Sequence, residues 1–139
     1  MLKLKPVLLS VLSGLLLALG WPGIGEFAPL LFIGLVPLLW VHELKNNENK
    51  GSVFGYAFIA FSLFNLLTTW WIYCVTESMT TKVFVLLAAI LVNSTLMAMV
   101  IQLFHFTRKV LGLKKGMIAL VAYWLGFEYL HLDWDLSWP

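Results

Sequence analysis

The chain has 139 residues, of which 61% are hydrophobic and only 12% are charged, and its mean hydropathy is +0.92. A soluble domain is about 45–50% apolar and about 25% charged, so a water-soluble fold could not bury this much apolar side chain. The formal net charge of +2 is small and the basic residues are scattered, which excludes a nucleic-acid-binding stripe. We therefore expect an all-α, polytopic transmembrane helix bundle.

Five apolar stretches follow one another along the chain, separated by short polar segments. They cover approximately residues 7–20, 29–41, 53–75, 83–106 and 117–130. Since a spanning helix needs about 20 residues, the third and fourth are long enough to cross a membrane outright. The first two are short and flank the turn-forming residues Trp21 to Gly25. They form either a tilted pair of spans or a hairpin that enters the membrane and returns.

The first stretch has a second interpretation. It follows Lys3 and Lys5 and ends in small residues, which also fits the outline of a secretory signal peptide. The next apolar stretch begins after only eight residues, Trp21 to Ala28. This spacing suits a helical hairpin better than the start of an exported domain.

The distribution of basic residues predicts the orientation, because Lys and Arg near short loops are retained on the cytoplasmic side. With the N-terminus inside, eight of the nine basic residues lie on that side and only Lys82 lies outside. The loops at 43–51 and 107–116 are then cytoplasmic, and the segment at 77–81 is periplasmic. Six of the seven tryptophans also lie at predicted segment ends, where indole prefers the headgroup layer. The sequence predicts a multi-pass membrane protein whose N-terminus is cytoplasmic and whose last residues are periplasmic.

Several polar side chains lie within the apolar stretches. Asn93, Ser94 and Thr95 match the N-glycosylation pattern, but their predicted position is mid-membrane, where no transferase could reach them. We expect them to form hydrogen bonds between helices together with Asn65 and Gln102.

Histidine and cysteine residues give no sign of a metal or catalytic centre. His42 and His105 fall at predicted cytoplasmic ends, where we expect contact with solvent or headgroups. Cys74 is the one cysteine, and no histidine or lysine near it in sequence could activate a thiol, so we expect a packed, inert side chain. No residues have metal-ligand spacing and no Gly-rich phosphate loop is present, so no metal or cofactor is predicted.

A charged group lies near the end of the fifth stretch. The offsets of three and four residues place Glu128, His131 and Asp135 on one helical face below Trp124. Ionisable side chains in a membrane usually point into a bundle or a wet cavity. We expect Glu128 to pair with His131 as a polar clamp at the outer mouth of the bundle, with a carboxylate that simply reaches the interface as the alternative.

Three motifs, taken in order, resemble the N-terminal membrane half of apolipoprotein N-acyltransferases. They are Gly20-Trp21-Pro22, then Trp71-Ile72-Tyr73, then Glu128-Tyr129-Leu130 leading to Ser137-Trp138-Pro139. The resemblance covers nearly the whole chain. Family members commonly have an arginine where this chain has His131, which is its one clear departure from the pattern.

The resemblance implies that residues 1–139 are one N-terminal transmembrane domain, part of an eight-helix bundle that carries a periplasmic nitrilase-like domain. That domain would hold a Glu, Lys and Cys triad whose cysteine takes an acyl chain from a phospholipid and passes it to the diacylglyceryl-cysteine of a lipoprotein. None of these three residues is placed in this chain, and Cys74 lies too early to be the nucleophile. The fragment alone is expected to be inactive, and its partners to be the bilayer and these two lipid substrates.

Without catalytic residues, the candidate site consists of side chains that shape the bundle or line a substrate route. These are Trp70, Trp71, Tyr73, Glu128, His131 and Trp138. The alternative class is a small non-enzymatic membrane protein, such as a transporter subunit or an assembly factor. Transporters typically show ionisable residues near the membrane midplane, and the sequence places none there.

Overall fold

The computed structural model describes residues 3–46, 51–74 and 78–132, and every regular element in these ranges is helical. The elements are α1 (Leu4–Gly20), α2 (Pro29–Gly34), α3 (Val36–Asn46), α4 (Phe54–Thr68), a 3₁₀ turn (Trp70–Cys74) and α5 (Met79–Leu132). The expected all-α class is confirmed. By length and composition, two helical stretches could cross a membrane, Phe54–Cys74 and Met79–Leu132.

Helix α5 is two antiparallel arms joined at Gly112. This residue has φ 80° and ψ 179°, a backbone conformation that residues with a Cβ rarely adopt. The chain reverses direction there. The hydroxyls of Thr107 and Tyr123, one on each arm, lie within hydrogen-bonding distance at 2.8 Å, which shows that the two arms pack side by side. The first arm covers residues 79–111 and the second covers 113–132.

The prediction of a loop at 107–116 is therefore wrong, since Gly112 is the only residue in this range whose backbone is not helical. The sequence there contains Arg108, Lys109, Lys114 and Lys115. These charges end the apolar pattern but do not end the helix, because Lys and Arg are good helix formers. Hydropathy located the apolar part of each arm and missed the helical turns that continue beyond it.

The second apolar stretch is also helical further than expected, to Asn46, and it is broken at Leu35 between α2 and α3. Pro37 lies just after the break, in the first turn of α3, where its missing N–H does no harm. The hydroxyl of Ser13, on α1, donates to the carbonyl of Gly34 at 2.5 Å. A buried backbone acceptor at the break is thus satisfied by the neighbouring helix.

Helices α1 and α4 run parallel and in close contact. Near their starts the backbone N–H of Lys3 donates to the Tyr56 hydroxyl at 2.9 Å. Further along, a Cβ added to Gly14 would lie 2.5 Å from the carbonyl oxygen of Ala60, so this crossing requires a glycine. The core lies between α4 and the first arm of α5, where Phe61, Ile101 and Phe104 are fully buried.

These contacts define two ends of the bundle. The basic end holds the N-termini of α1 and α4, the C-terminus of α3 and the break at Gly112. Its described cationic residues are Lys3, Lys5, Lys45, Arg108, Lys109, Lys114 and Lys115. The aromatic end, opposite, holds Trp21, the 3₁₀ turn and His131. Lys82 lies beyond the aromatic end, with its ammonium 5.8 Å from the Tyr73 ring.

Candidate functional site

Two adjoining cavities lie at the aromatic end, with volumes of about 280 Å³ and about 400 Å³. Both are lined by Trp21, Phe64, Met97 and Phe127, so we treat them as one site, the aromatic-end cavity. It lies between the end of α1, the end of α4 and both arms of α5. No single stretch of sequence encloses it, so it could not be read from any one motif.

The wall of the larger part is apolar and suits hydrocarbon. Besides the four shared residues it is lined by Leu17, Leu31, Leu35, Trp124 and Glu128. Trp124 lies over Phe61 with ring centroids 5.9 Å apart, which fixes its indole against the core. This explains why Trp124 lies within a helix rather than at its end.

The smaller part carries most of the polar side chains of the cavity. Its further lining residues are Asn65, Thr68, Thr69, Trp71, Asn93 and His131. The hydroxyls of Thr68 and Thr69 donate to their own helix, to the carbonyls of Phe64 at 2.9 Å and Asn65 at 2.6 Å. These donors are therefore already used.

Asn65 on α4 and Asn93 on α5 differ in their hydrogen bonding. The amide of Asn65 donates to the Phe61 carbonyl at 2.8 Å and to the Ser94 hydroxyl at 3.2 Å, which confirms the expected bond between helices. Asn93 is only 6% exposed, yet its amide oxygen has no hydrogen-bond partner. A buried acceptor without a donor is uncommon and destabilising unless something else binds it.

Gln102 forms the other expected polar contact between helices, which is thereby confirmed. Its side-chain oxygen accepts hydrogen bonds from the backbone N–H groups of Val53 at 3.0 Å and Phe54 at 2.8 Å, and from the Ser52 hydroxyl at 2.9 Å. The first N–H groups of a helix have no partner within it, so Gln102 on α5 caps α4.

Glu128 has a partner other than the one expected. Its carboxylate accepts a hydrogen bond from the indole N–H of Trp124 at 2.8 Å, one turn earlier, and the residue is exposed while lining the cavity. His131 instead stacks on Phe127, with ring centroids 5.5 Å apart and planes 29° apart. The expected Glu128–His131 pair is therefore replaced by two separate contacts, because the aromatic residues four positions earlier lie closer on the helix face.

The predicted aromatic residues of the third stretch lie in the 3₁₀ turn. Trp71 lines the cavity, whereas Trp70 is exposed and lines neither part of it. The Tyr73 hydroxyl lies 3.3 Å from the sulfur of Met79 at the start of α5. Cys74 is exposed at the end of this turn, so the expectation of a packed thiol is wrong. Trp138 and Asp135 lie outside the described residues.

The basic end contains a feature that the sequence did not predict. His42 and His105 are fully buried, with their Nδ1 atoms 2.8 Å apart, so the expectation of solvated histidines is wrong. Because α3 and the first arm run in the same direction, the end of α3 lies beside the end of that arm, and Phe104 covers the pair at 4.9 Å from the His42 ring. The sequence contained one sign of this contact, since both histidines were predicted to lie on the same side of the membrane.

The partners of the histidine pair determine its tautomers. His105 Nε2 lies 3.1 Å from the carbonyl oxygen of Gly51, which can only accept, so Nε2 carries the proton. In a neutral ring His105 Nδ1 is then an acceptor, and His42 Nδ1 must donate to it. His42 Nε2 remains as a buried acceptor without a partner.

An ion pair lies next to the histidines. The guanidinium of Arg108 contacts the carboxylate of Glu43, joining α3 to α5 across the same end of the bundle. Arg108 also lies 5.9 Å from the Phe104 ring. In the part of the chain that the structure describes, no three His, Cys, Asp or Glu side chains come together as metal ligands would.

The fold defines the class first: an all-helical bundle with two stretches of membrane-spanning length and an amphipathic cavity at one end. Residues 13–139 match the family model described as the apolipoprotein N-acyltransferase N-terminal domain. Because that match covers more than half of the sequence, the chain belongs to this family, as its motifs predicted.

One relative supports the same assignment. The chain is 32% identical to the apolipoprotein N-acyltransferase of Chlorobaculum tepidum, over 96% of this chain and 24% of that protein. The chain thus spans about a quarter of the length of this relative. No solved structure matches the chain.

Proposed function

We propose that this chain is the N-terminal membrane part of an apolipoprotein N-acyltransferase of the bacterial inner membrane. The parent protein transfers an acyl chain from a phospholipid to the N-terminal diacylglyceryl-cysteine of a lipoprotein. Membership of the family supports the assignment, and the aromatic-end cavity is the observation that carries the role of this part. The family match also disfavours the alternative of a small non-enzymatic membrane protein.

The proposed topology follows from the alternating directions of consecutive helical segments. We propose five membrane segments: α1, the broken pair α2 and α3, α4 with its 3₁₀ turn, and the two arms of α5. The basic end faces the cytoplasm, because seven described cationic residues lie there and positive charge is retained inside. The aromatic end then lies at the periplasmic boundary, where Trp and Tyr are enriched.

We infer the role of this membrane part from the cavity, which is suited to holding the lipid substrates. Both substrates keep their acyl chains in the bilayer, so only their polar ends can rise to a periplasmic site. A cavity with an apolar wall and a polar rim at the outer boundary can hold hydrocarbon on one side and a headgroup on the other. We propose that Trp71, Glu128 and His131 line this route, and that the chemistry is carried out by a part of the parent that this chain does not cover.

The test is acyl transfer by the protein expressed from its complete reading frame and reconstituted in phospholipid. Mass spectrometry detects addition of a deuterated acyl chain to a diacylglyceryl peptide. Met97→Trp fills the cavity, and Met99→Trp, two residues on and 51% exposed, is the matched control.

We expect Met97→Trp to lower the transfer rate by about tenfold or more, since the larger side chain occupies the space that the hydrocarbon would fill. Met99→Trp should leave the rate unchanged. Thr69→Trp, at the half-buried rim, is a second cavity variant for the case in which Met97→Trp does not fold. Absence of transfer by the folded wild-type protein would refute the proposed function.

A further inference from the structure

The turn around Gly112 combines cationic and apolar side chains on one exposed surface. Residues 108–115, which we call the basic turn, read Arg-Lys-Val-Leu-Gly-Leu-Lys-Lys, and all except Arg108 are exposed. The apolar side chains between the cations are 80% exposed at Val110, 51% at Leu111 and 56% at Leu113. Neighbouring apolar side chains that are exposed together mark a surface that meets a partner or a membrane.

The two arms of α5 hold the basic turn in a fixed shape. A Cβ added to Gly116 would lie 2.7 Å from the Cβ of Arg108, so the arms are in direct contact where they enter the turn. Gly112 alone reverses the chain, and the backbone is helical on both sides of it. The cations are therefore presented in a preformed arrangement, which lowers the entropy cost of binding.

The basic turn lies close to the boundary of the apolar layer when the arms cross the membrane as proposed. The apolar stretch of the first arm ends at Phe106, six residues before Gly112, and that of the second begins at Met117, five residues after it. At a rise of about 1.5 Å per residue, the turn extends at most about 9 Å beyond these stretches. Amphipathic segments bury apolar side chains about 5–10 Å into the headgroup layer, so the turn falls within that layer.

The fold leaves part of the charge of the basic turn without a counter-ion. Glu43 is the one described carboxylate at the basic end, and it pairs with Arg108. Lys114 and Lys115 form no ion pair within the described residues. Retention of positive charge on the cytoplasmic side accounts for these lysines but not for the apolar side chains between the cations. Both features together fit a ligand that carries negative charge next to hydrocarbon.

We propose that the basic turn binds anionic phospholipid, with Lys114 and Lys115 at the lipid phosphate and the three apolar side chains of the turn among the adjoining acyl chains. The proposal takes from the proposed function only that the arms of α5 cross the membrane, and it does not depend on acyl transfer. These lipids lie at the opposite end of the bundle from the aromatic-end cavity. They hold the basic end at its depth in the membrane and are not substrates.

The test measures which lipid surrounds the turn in a membrane. Val110→Cys carries a fluorescent label in the protein from the complete reading frame, in which every other cysteine, Cys74 included, is replaced by alanine. Vesicles contain equal amounts of phosphatidylglycerol and phosphatidylcholine with identical chains, and one lipid at a time carries bromine on its chains, which quenches fluorescence on contact. A label at Leu132→Cys, 72% exposed at the aromatic end, is the control and should be quenched equally by both.

We expect phosphatidylglycerol to be enriched about 5-fold over phosphatidylcholine at the Val110→Cys label, the ratio that one cation near an anionic lipid surface gives. Lys114→Gln with Lys115→Gln should lower this ratio to about 2 or less. Lys114→Arg with Lys115→Arg keeps both charges and should preserve the ratio. Lys82→Gln removes a cation beyond the opposite end of the bundle and should leave it unchanged.

Salt supplies a measurement that needs no substitution of the lysines. Raising the salt concentration from about 0.05 M to about 0.5 M should lower the enrichment, because exposed charges are screened. Equal quenching by the two brominated lipids, or an enrichment that survives neutralisation of both lysines, would overturn the proposal. Absence of quenching by either lipid would place the turn in water or against protein, and would overturn it too. Transfer activity without enrichment refutes only this inference, whereas enrichment without transfer refutes only the proposed function.

Discussion

At the residue scale, this bundle is held together by buried polar contacts as well as apolar ones. Asn65 with Ser94, Gln102 with the start of α4, and His42 with His105 each join two helices. The first two were predictable, because polar residues within apolar stretches usually bond other helices. The histidine pair was not, since hydropathy placed His42 beyond the second stretch and His105 at the last turn of the fourth, and gave no sign that α3 continues to Asn46.

The tautomers of the histidine pair predict unequal effects of substitution. His105→Leu leaves the His42 Nδ1–H and the Gly51 carbonyl without partners, so it should lower the free energy of unfolding by about 1–3 kcal/mol. His42→Leu leaves only one acceptor unpaired and removes the orphan Nε2, so it should cost less.

Denaturant unfolding of both single variants and the double variant measures this difference. The double variant should cost less than the sum of the singles, because the two side chains share a hydrogen bond. Additive costs, or a larger cost for His42→Leu, would contradict the tautomer assignment.

At the element scale, the apolar stretches of the sequence fall on helices of the described chain, but the sequence did not predict where those helices end. Charged residues such as Lys45 and Arg108 mark where a helix leaves the apolar layer and not where it stops. The sharp reversal at Gly112 depends on a single backbone conformation, which a hydropathy pattern cannot show. The close crossing of α1 and α4 likewise depends on Gly14, one small residue in an apolar run.

Gly14 predicts a strong effect of adding a side chain. Gly14→Ala places a methyl group 2.5 Å from the Ala60 carbonyl oxygen, a contact that only separation of α1 and α4 can relieve. We expect the free energy of unfolding to fall by about 1–3 kcal/mol, as for overpacked cores. Gly126→Ala is the control, because nothing lies within 4 Å of the added atom. Equal stability of the two variants would show that the helices are not in close contact there.

At the scale of the whole molecule, a basic end is separated from an aromatic end, and the proposed orientation rests on this separation. The alternating directions of the helices place seven described cationic residues together and Lys82 apart. The asymmetric distribution of basic residues in the sequence was sufficient to predict this grouping of cationic residues. The aromatic-end cavity was not predictable, because it is formed by the packing of α1, α4 and both arms of α5. Cavity residues such as Met97 and Asn93 are far apart in sequence from Trp21 and look like ordinary span residues.

Single cysteines test this orientation in a Cys74→Ala background. Ser78→Cys, just before α5, should react with a membrane-impermeant maleimide in intact spheroplasts. Lys115→Cys, beside the break at Gly112, should react only after the membrane is permeabilised. The reverse labelling pattern would invert the bundle and place the aromatic-end cavity on the cytoplasmic side.

Complementation tests the central claim, that this bundle is the membrane part of an apolipoprotein N-acyltransferase. Cells depleted of their own acyltransferase receive the complete reading frame that contains this chain, and lipoprotein N-termini are read by mass spectrometry. The account predicts growth and triacylated lipoproteins, with a smaller triacylated fraction for Met97→Trp but not for Met99→Trp at equal protein abundance. Lipoproteins that remain diacylated while the wild-type protein is present at normal abundance in the membrane would contradict it.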